Sequence, residues 1–145
     1  IEIASEDAAA VGEQRNERER AALLHSLGIA EGANVPPALR SQIRALEEDQ
    51  KRRATRAQRD GIDRILVDLL AVYRDLIVLQ LGATTDLIHR ERAEQLGGLA
   101  AANPVERTLA MIDALATTRR RLGNNVAPTL ALEALLISAP RKATA

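Results

Sequence analysis

The sequence predicts an all-α fold, a compact bundle of about five helices whose second helix is unusually long and open to a kink. Three observations carry this. Phenylalanine and tryptophan are absent and tyrosine occurs once, while alanine, leucine and arginine abound, a composition that favours helix over strand. Leu66, Leu69, Leu70, Tyr73, Leu76 and Ile77 recur at three- and four-residue steps, the spacing of one helical face. Glycine and proline punctuate the chain at "LGIAEGANVPP" (27–37), "LGATTD" (81–86), "LGG" (96–98), "AANP" (101–104) and "LGNN" (122–125).

These marks divide the chain into helices at about 5–27, 37–81, 88–102, 104–122 and 126–138. The opening "IEIASEDAAAV" reads as the tail of a helix begun elsewhere, so a fragment of a longer polypeptide is expected. One domain is the expectation for 145 residues. Laid out at about 1.5 Å per residue, the second helix would reach about 67 Å, against about 38 Å across a compact sphere of this mass. It must bend, break or lengthen the domain, and Gly61 is the weak point. One face nevertheless continues through Ile43, Leu46, Gln50, Ala54, Ala57, Gly61, Ile65, Leu69, Val72 and Leu76, with small residues at its centre. Ala54, Ala57 and Gly61 would let another helix approach closely.

The fourth helix has the clearest start. In "NPVE", Asn103 can cap, Pro104 suits the first helical position and Glu106 can answer the cap from the third. For the fifth, Asn125 is a candidate cap, Pro128 sits in the tolerant first turn and Pro140 marks the end. Its leucines and Ile137 point in several directions, so it needs more than one covering neighbour. Partner subunits would supply that cover.

Twenty basic and twenty acidic residues cancel, so no overall field steers the chain to nucleic acid, a membrane or a highly charged substrate. The absence of cysteine excludes a disulfide framework and suits a reducing compartment, with the cytoplasm expected. Charges interrupt every apolar run, which leaves no membrane span.

Motifs for chemistry are missing. No phosphate loop is present, and the glycines of "QLGGL" and "LGNN" read as helix stops. His25 and His89 have no second ligand at metal spacing, and no cofactor or metal is implied. Asp60, Asp63, Asp68 and Asp75 alternate with arginine and read as surface ion pairs rather than a catalytic dyad.

The run "EEDQKRRATRAQRDG" (47–61) offers Arg52, Arg53, Arg56 and Arg59 as an alternative nucleic-acid contact. Its acids leave only one net positive charge between Glu47 and Asp60, a weak footprint for phosphate. Glu48–Arg52 and Asp49–Arg53 stand in the favourable acid-first order, which suits a solvated helix or a subunit interface. Arg119, Arg120 and Arg121 close the fourth helix, where positive charge complements its dipole. Glu133, alone on the most apolar helix, lies at a rim or pairs with an arginine of 119–121 or of an adjacent subunit.

Two stretches, "ALEEDQKRRATRAQRDGIDRILVDLLAVYRDLIVLQLGA" and "NPVERTLAMIDALATTRRRLGNNVAPTLALEALL", resemble the C-terminal domain of the delta-prime subunit of bacterial DNA polymerase III, in its actinobacterial form. Arg119–Arg121, Asn125 and Leu130–Leu136 with Glu133 carry the more specific part. The resemblance implies a clamp-loader collar: a non-catalytic helical domain that assembles with the gamma/tau and delta subunits, touching DNA and the sliding clamp only through the complex. Residues 1–35 would join it to an AAA+ region. The candidate subunit interface, joining the small-residue seam to these positions, comprises Ala54, Ala57, Gly61, Arg119, Arg120, Arg121, Asn125, Leu130, Glu133 and Leu136.

Overall fold

The computed structural model describes the backbone of residues 2–30 and 33–140, and side chains from residue 10 onward within those bounds. Five α-helices follow one another: α1 (Glu2–Ser26), α2 (Arg40–Gln80), α3 (Ala93–Ala102), α4 (Val105–Gly123) and α5 (Pro128–Ser138). Short 3-10 turns at Pro37–Leu39 and Arg90–Arg92 lead into α2 and α3. No strand occurs among the described residues. The all-α expectation holds, and contacts group the chain into two units, Ile1–Gln58 and Arg59–Ala145.

In the first unit, α1 carries charged residues on every side and has no continuous apolar face. Ile43 is the only buried hydrophobic among the unit's described residues. Polar contacts replace a core. The Gln50 amide donates to the Asn16 carbonyl at 3.0 Å, Arg53 binds Glu19, and Arg20 lies 3.6 Å from Glu47. The ring of partners around Glu19, Arg15 first, lowers the pKa of its carboxyl.

The second unit is built around apolar side chains. Leu66 of α2, Leu115 and Leu122 of α4 and Ala131 of α5 form one buried cluster, flanked by Ile62, Leu70, Met111 and Leu135. A second joins Leu76 to Leu96 and Ala100 of α3. Tyr73 packs against both. Each fully buried leucine contributes about 2 kcal/mol by leaving water. Thr108 and Thr118 are buried too; the Thr118 hydroxyl is satisfied by donating to the Ala114 carbonyl at 2.9 Å.

Three helices end by the same device. The N–H groups of Ile29, Ala83 and Val126 reach back to the carbonyls of Leu24, Val78 and Arg121, closing Schellman turns. Each turn needs a residue at positive φ: Gly28 (71°), Gly82 (60°) and Asn125 (61°) supply it. Asn125 therefore terminates α4 rather than capping α5, whose N-cap is Ala127. The asparagine is chosen because its short polar side chain tolerates the left-handed region.

The α4 start also differs from the sequence expectation. Pro104 is the N-cap, with extended backbone (φ −69°, ψ 149°), and Asn103 turns back to donate to the Leu99 carbonyl at 2.8 Å. It finishes α3 rather than starting α4. "LGG" is no stop at all, since α3 runs through Gly97 and Gly98, held by burial of Leu96 and Ala100. Pro128 opens α5 in its first turn as expected.

The long helix is unbroken at Gly61. A glycine costs about 1 kcal/mol in a helix, less than the burial of Leu66 one turn on returns. The single face foreseen along all of α2 does not hold, because Ile65 (50 % exposed) and Leu69 (39 %) face outward. Beyond Gly61 the inward stripe is Ile62, Leu66, Leu70 and Tyr73 instead.

Candidate functional site

Asp75 is the most enclosed charge among the described residues, with a fully buried side chain. It lies within α2's apolar run, facing the segment that precedes α3. One carboxylate oxygen accepts from the Ile88 N–H at 3.0 Å and from Arg74 at 2.7 Å. The other accepts from the His89 N–H at 2.8 Å and lies 3.0 Å from His89 Nδ1. Burial pushes its pKa up, but these donors outweigh burial and hold the carboxyl well below the usual range.

Asp75 is therefore not the surface ion pair the sequence suggested. It clasps residues 86–89 to α2, and Arg74 completes the clasp by donating to the Asp86 carbonyl at 2.7 Å. Among the described residues no hydroxyl hydrogen-bonds His89, whose Nδ1 faces Asp75. An acid inside "LLAVYRDLIVLQL" was the available signal, since burial there demands several donors.

A second ionic group joins α2 to α4. Arg119 forks onto Asp63, Nε to Oδ1 at 2.7 Å and Nη2 to Oδ2 at 3.0 Å, which lowers the pKa of the acid and raises that of the base. Arg120 donates to the Thr117 hydroxyl at 3.0 Å, and Arg121 is half-buried. Arg59 donates to Asn125 Oδ1 at 2.6 Å, while its Nε is buried without an acceptor. Arg59, Asp60, Asp63, Arg119 and Arg120 rim an open cleft whose apolar wall includes Leu70, Ala116 and Leu122.

On α5, Ala131 is wholly buried and Leu135 packs inward. The other side is bare: Leu130, Leu136 and Ile137 are 60 %, 72 % and 75 % exposed. Positions 130, 133 and 137 share a face by their three- and four-residue steps, which sets exposed Glu133 within an apolar stripe. Glu133 makes no ion pair with Arg119, Arg120 or Arg121 of its own chain; Arg119 is committed to Asp63 on α2.

Ala54 and Ala57 are exposed, and nothing lies within 4 Å of where a Cβ on Gly61 would stand. The basic run is largely self-neutralised. Arg52 pairs with Glu48 at 3.9 Å and Asp49 at 3.7 Å, and Arg53 with Glu19 and Asp49. Both acid-first pairs foreseen in the sequence form. Arg56 is exposed, and Arg59 turns to Asn125.

Residues 39–139 match the family model of the DNA polymerase III delta subunit, C-terminal domain. The chain belongs to this family. The match covers α2 through α5 and begins after α1. As a delta C-terminal domain, the chain is part of a clamp-loader subunit acting in DNA replication, a non-catalytic accessory domain of the polymerase III assembly. Such a component binds other subunits of the complex. No curated protein and no solved structure matches the chain significantly. No helix among the described residues is long and apolar enough to cross a membrane.

Proposed function

We propose that this delta C-terminal domain is the collar of a delta-prime-type subunit, which joins an AAA+ region to the other clamp-loader subunits. In this reading gamma/tau and delta are its neighbours, the cytoplasm is its compartment, and residues 1–145 work as one assembly domain, with 1–35 leading from the ATPase region. The observation that carries it is the bare apolar stripe of α5. Leu130, Leu136 and Ile137 lie close together on one short helix, a grouping that marks a surface made to be covered. The arginine-rich end of α4 followed by the Asn125 turn supports the delta-prime type.

Ala54, Ala57 and Gly61 offer a second, narrow seam with room for a close helix. Arg120, Arg121 and Glu133 supply charge at the edges, while Arg119 and Asn125 hold neighbouring groups in position. Mixing the domain with the clamp-loader ATPase subunits and measuring mass by light scattering tests the reading. A stable complex, lost on Leu136→Asp, is the expected result. Failure to associate, when the full-length subunit does associate, would overturn it, as would salt-sensitive binding to primed DNA in place of assembly.

A further inference from the structure

Helix α5 is short, and its seat is made mostly of apolar contact. Ala131, Leu135 and the preceding Val126 pack into the larger cluster, but burial of this kind sets how much surface is hidden rather than the angle at which a helix lies. One directional contact is added. Arg59 Nη1 on α2 donates to Asn125 Oδ1 at 2.6 Å, and among the described residues no other side-chain hydrogen bond runs from residues 124–140 to another helix. Asn125 is itself firmly held. It stands at φ 61° in the turn that ends α4, with its own N–H on the Leu122 carbonyl and the next N–H on that of Arg121. Three residues later α5 begins at Pro128, so the bond carries the position of α2 to the base of α5. For stability alone arginine is a poor choice here. Its side chain is half-buried and its Nε is enclosed with no acceptor among the described residues, an arrangement that costs free energy and that a methionine would avoid. A local rule broken in this way points to a role beyond folding.

We propose that Arg59 is a positioning residue for assembly: through Asn125 it fixes the angle of α5, and with it the direction in which Leu130, Leu136 and Ile137 face. This rests on the reading of that stripe as the surface met by the other clamp-loader subunits. A face already held in its bound orientation loses less entropy on association than one that must be ordered at that moment, so the bond acts on affinity. Arg59 touches no partner in this account. It works from inside the unit, on the helix that does.

Two measurements separate this role from a merely structural one. The chain has no cysteine, so Asp68→Cys on α2 and Glu133→Cys on α5, both exposed, accept one pair of spin labels whose spread of distances is read by double electron–electron resonance. Arg59→Met should broaden that spread while the urea midpoint stays at or above that of the parent chain. Asn125→Gly, which keeps the left-handed turn and removes the acceptor, should do the same, and Asn125→Asp, which keeps the acceptor, should leave the spread narrow. With unlabelled chains and the clamp-loader ATPase subunits, Arg59→Met should weaken association about tenfold, and adding Asn125→Gly should weaken it no further, since both act through one bond. An unchanged spread in Arg59→Met would overturn the proposal whatever assembly does. So would a urea midpoint that falls in step with assembly, or losses that simply add in the double variant. A wild-type chain with a narrow spread that does not associate, when the full-length subunit does, overturns the assembly reading instead and leaves the spread to decide whether Arg59 holds α5.

Discussion

The two halves of this chain use similar helix-forming residues and are held by different forces. Among the described residues of the N-terminal unit, one buried isoleucine accompanies a web of half-exposed ion pairs centred on Glu19 and Arg53. In the C-terminal unit, two apolar clusters form the core, and a fully buried carboxylate is saturated by donors from Arg74, Ile88 and His89. Exposed pairs are screened by salt and lose entropy when ordered, whereas apolar burial and a saturated buried charge are not easily replaced by water. The same kinds of charged side chain are decoration in one place and architecture in another, depending on what surrounds them.

Asp75 carries the largest expected effect. Replacing it by alanine strands two backbone N–H groups, Arg74 and His89, and should cost about 3–5 kcal/mol in urea unfolding. Tyr73, the sole tyrosine and a member of both clusters, reports this unit by fluorescence, while far-ultraviolet circular dichroism reports all helices. The tyrosine transition should therefore move further than the dichroism transition. If both stay at their wild-type positions, the clasp is not structural.

Asp75 also fixes a pH signature. Its carboxyl is depressed in the fold relative to the value 3.8 of the free group. Its contribution is thus fully present above about pH 4 and drains away as pH falls toward the folded pKa. The wild type should lose tyrosine-reported stability below about pH 4, and Asp75→Asn should lack that component.

Leu115→Ala comes next. The side chain is 1 % exposed and central to the larger cluster, so about 3 kcal/mol should be lost, again by tyrosine fluorescence. Gly61→Ala should act in the opposite direction. The added methyl meets open space in a helix, so the chain should gain up to about 1 kcal/mol. Weakened subunit assembly despite that gain would identify Gly61 as part of a seam. The smallest effect is expected from Glu19→Gln, whose partners are surface-accessible and can turn to water. Its thermal midpoint should be indistinguishable from wild type at high salt, and a clear loss there would show that the N-terminal web is more than a solvated surface.

Much of the fold was legible because it depends on nearby residues. The five helices follow from composition and period, and Gly28 and Gly82 mark stops since the turns they make require positive φ. Asn125 shows the limit of such reading. Its sequence neighbours suit either an end of α4 or a cap of α5, and the choice falls to the former as Val126 joins the core and Arg59 binds the asparagine side chain. Of the candidate interface, the outward leucines of α5 and the rim position of Glu133 were foreseen, while the Asp63 partner of Arg119 was not.

The sequence by itself determined that the chain is helical, where its five helices stop to within a residue, and that one helix carries more apolar surface than its own length can hide. Those properties are set within a turn or two of backbone, by propensity and by the few residues that tolerate a left-handed conformation. Only the tertiary structure decided which aspartate is buried, which face of α2 turns inward and which arginines keep free charge. These depend on pairs far apart in the chain, 14 residues for Asp75 and His89, 56 for Asp63 and Arg119 and 66 for Arg59 and Asn125. A helical period records only that two side chains share a face; whether that face meets water, a leucine or a guanidinium is settled by what folds back against it.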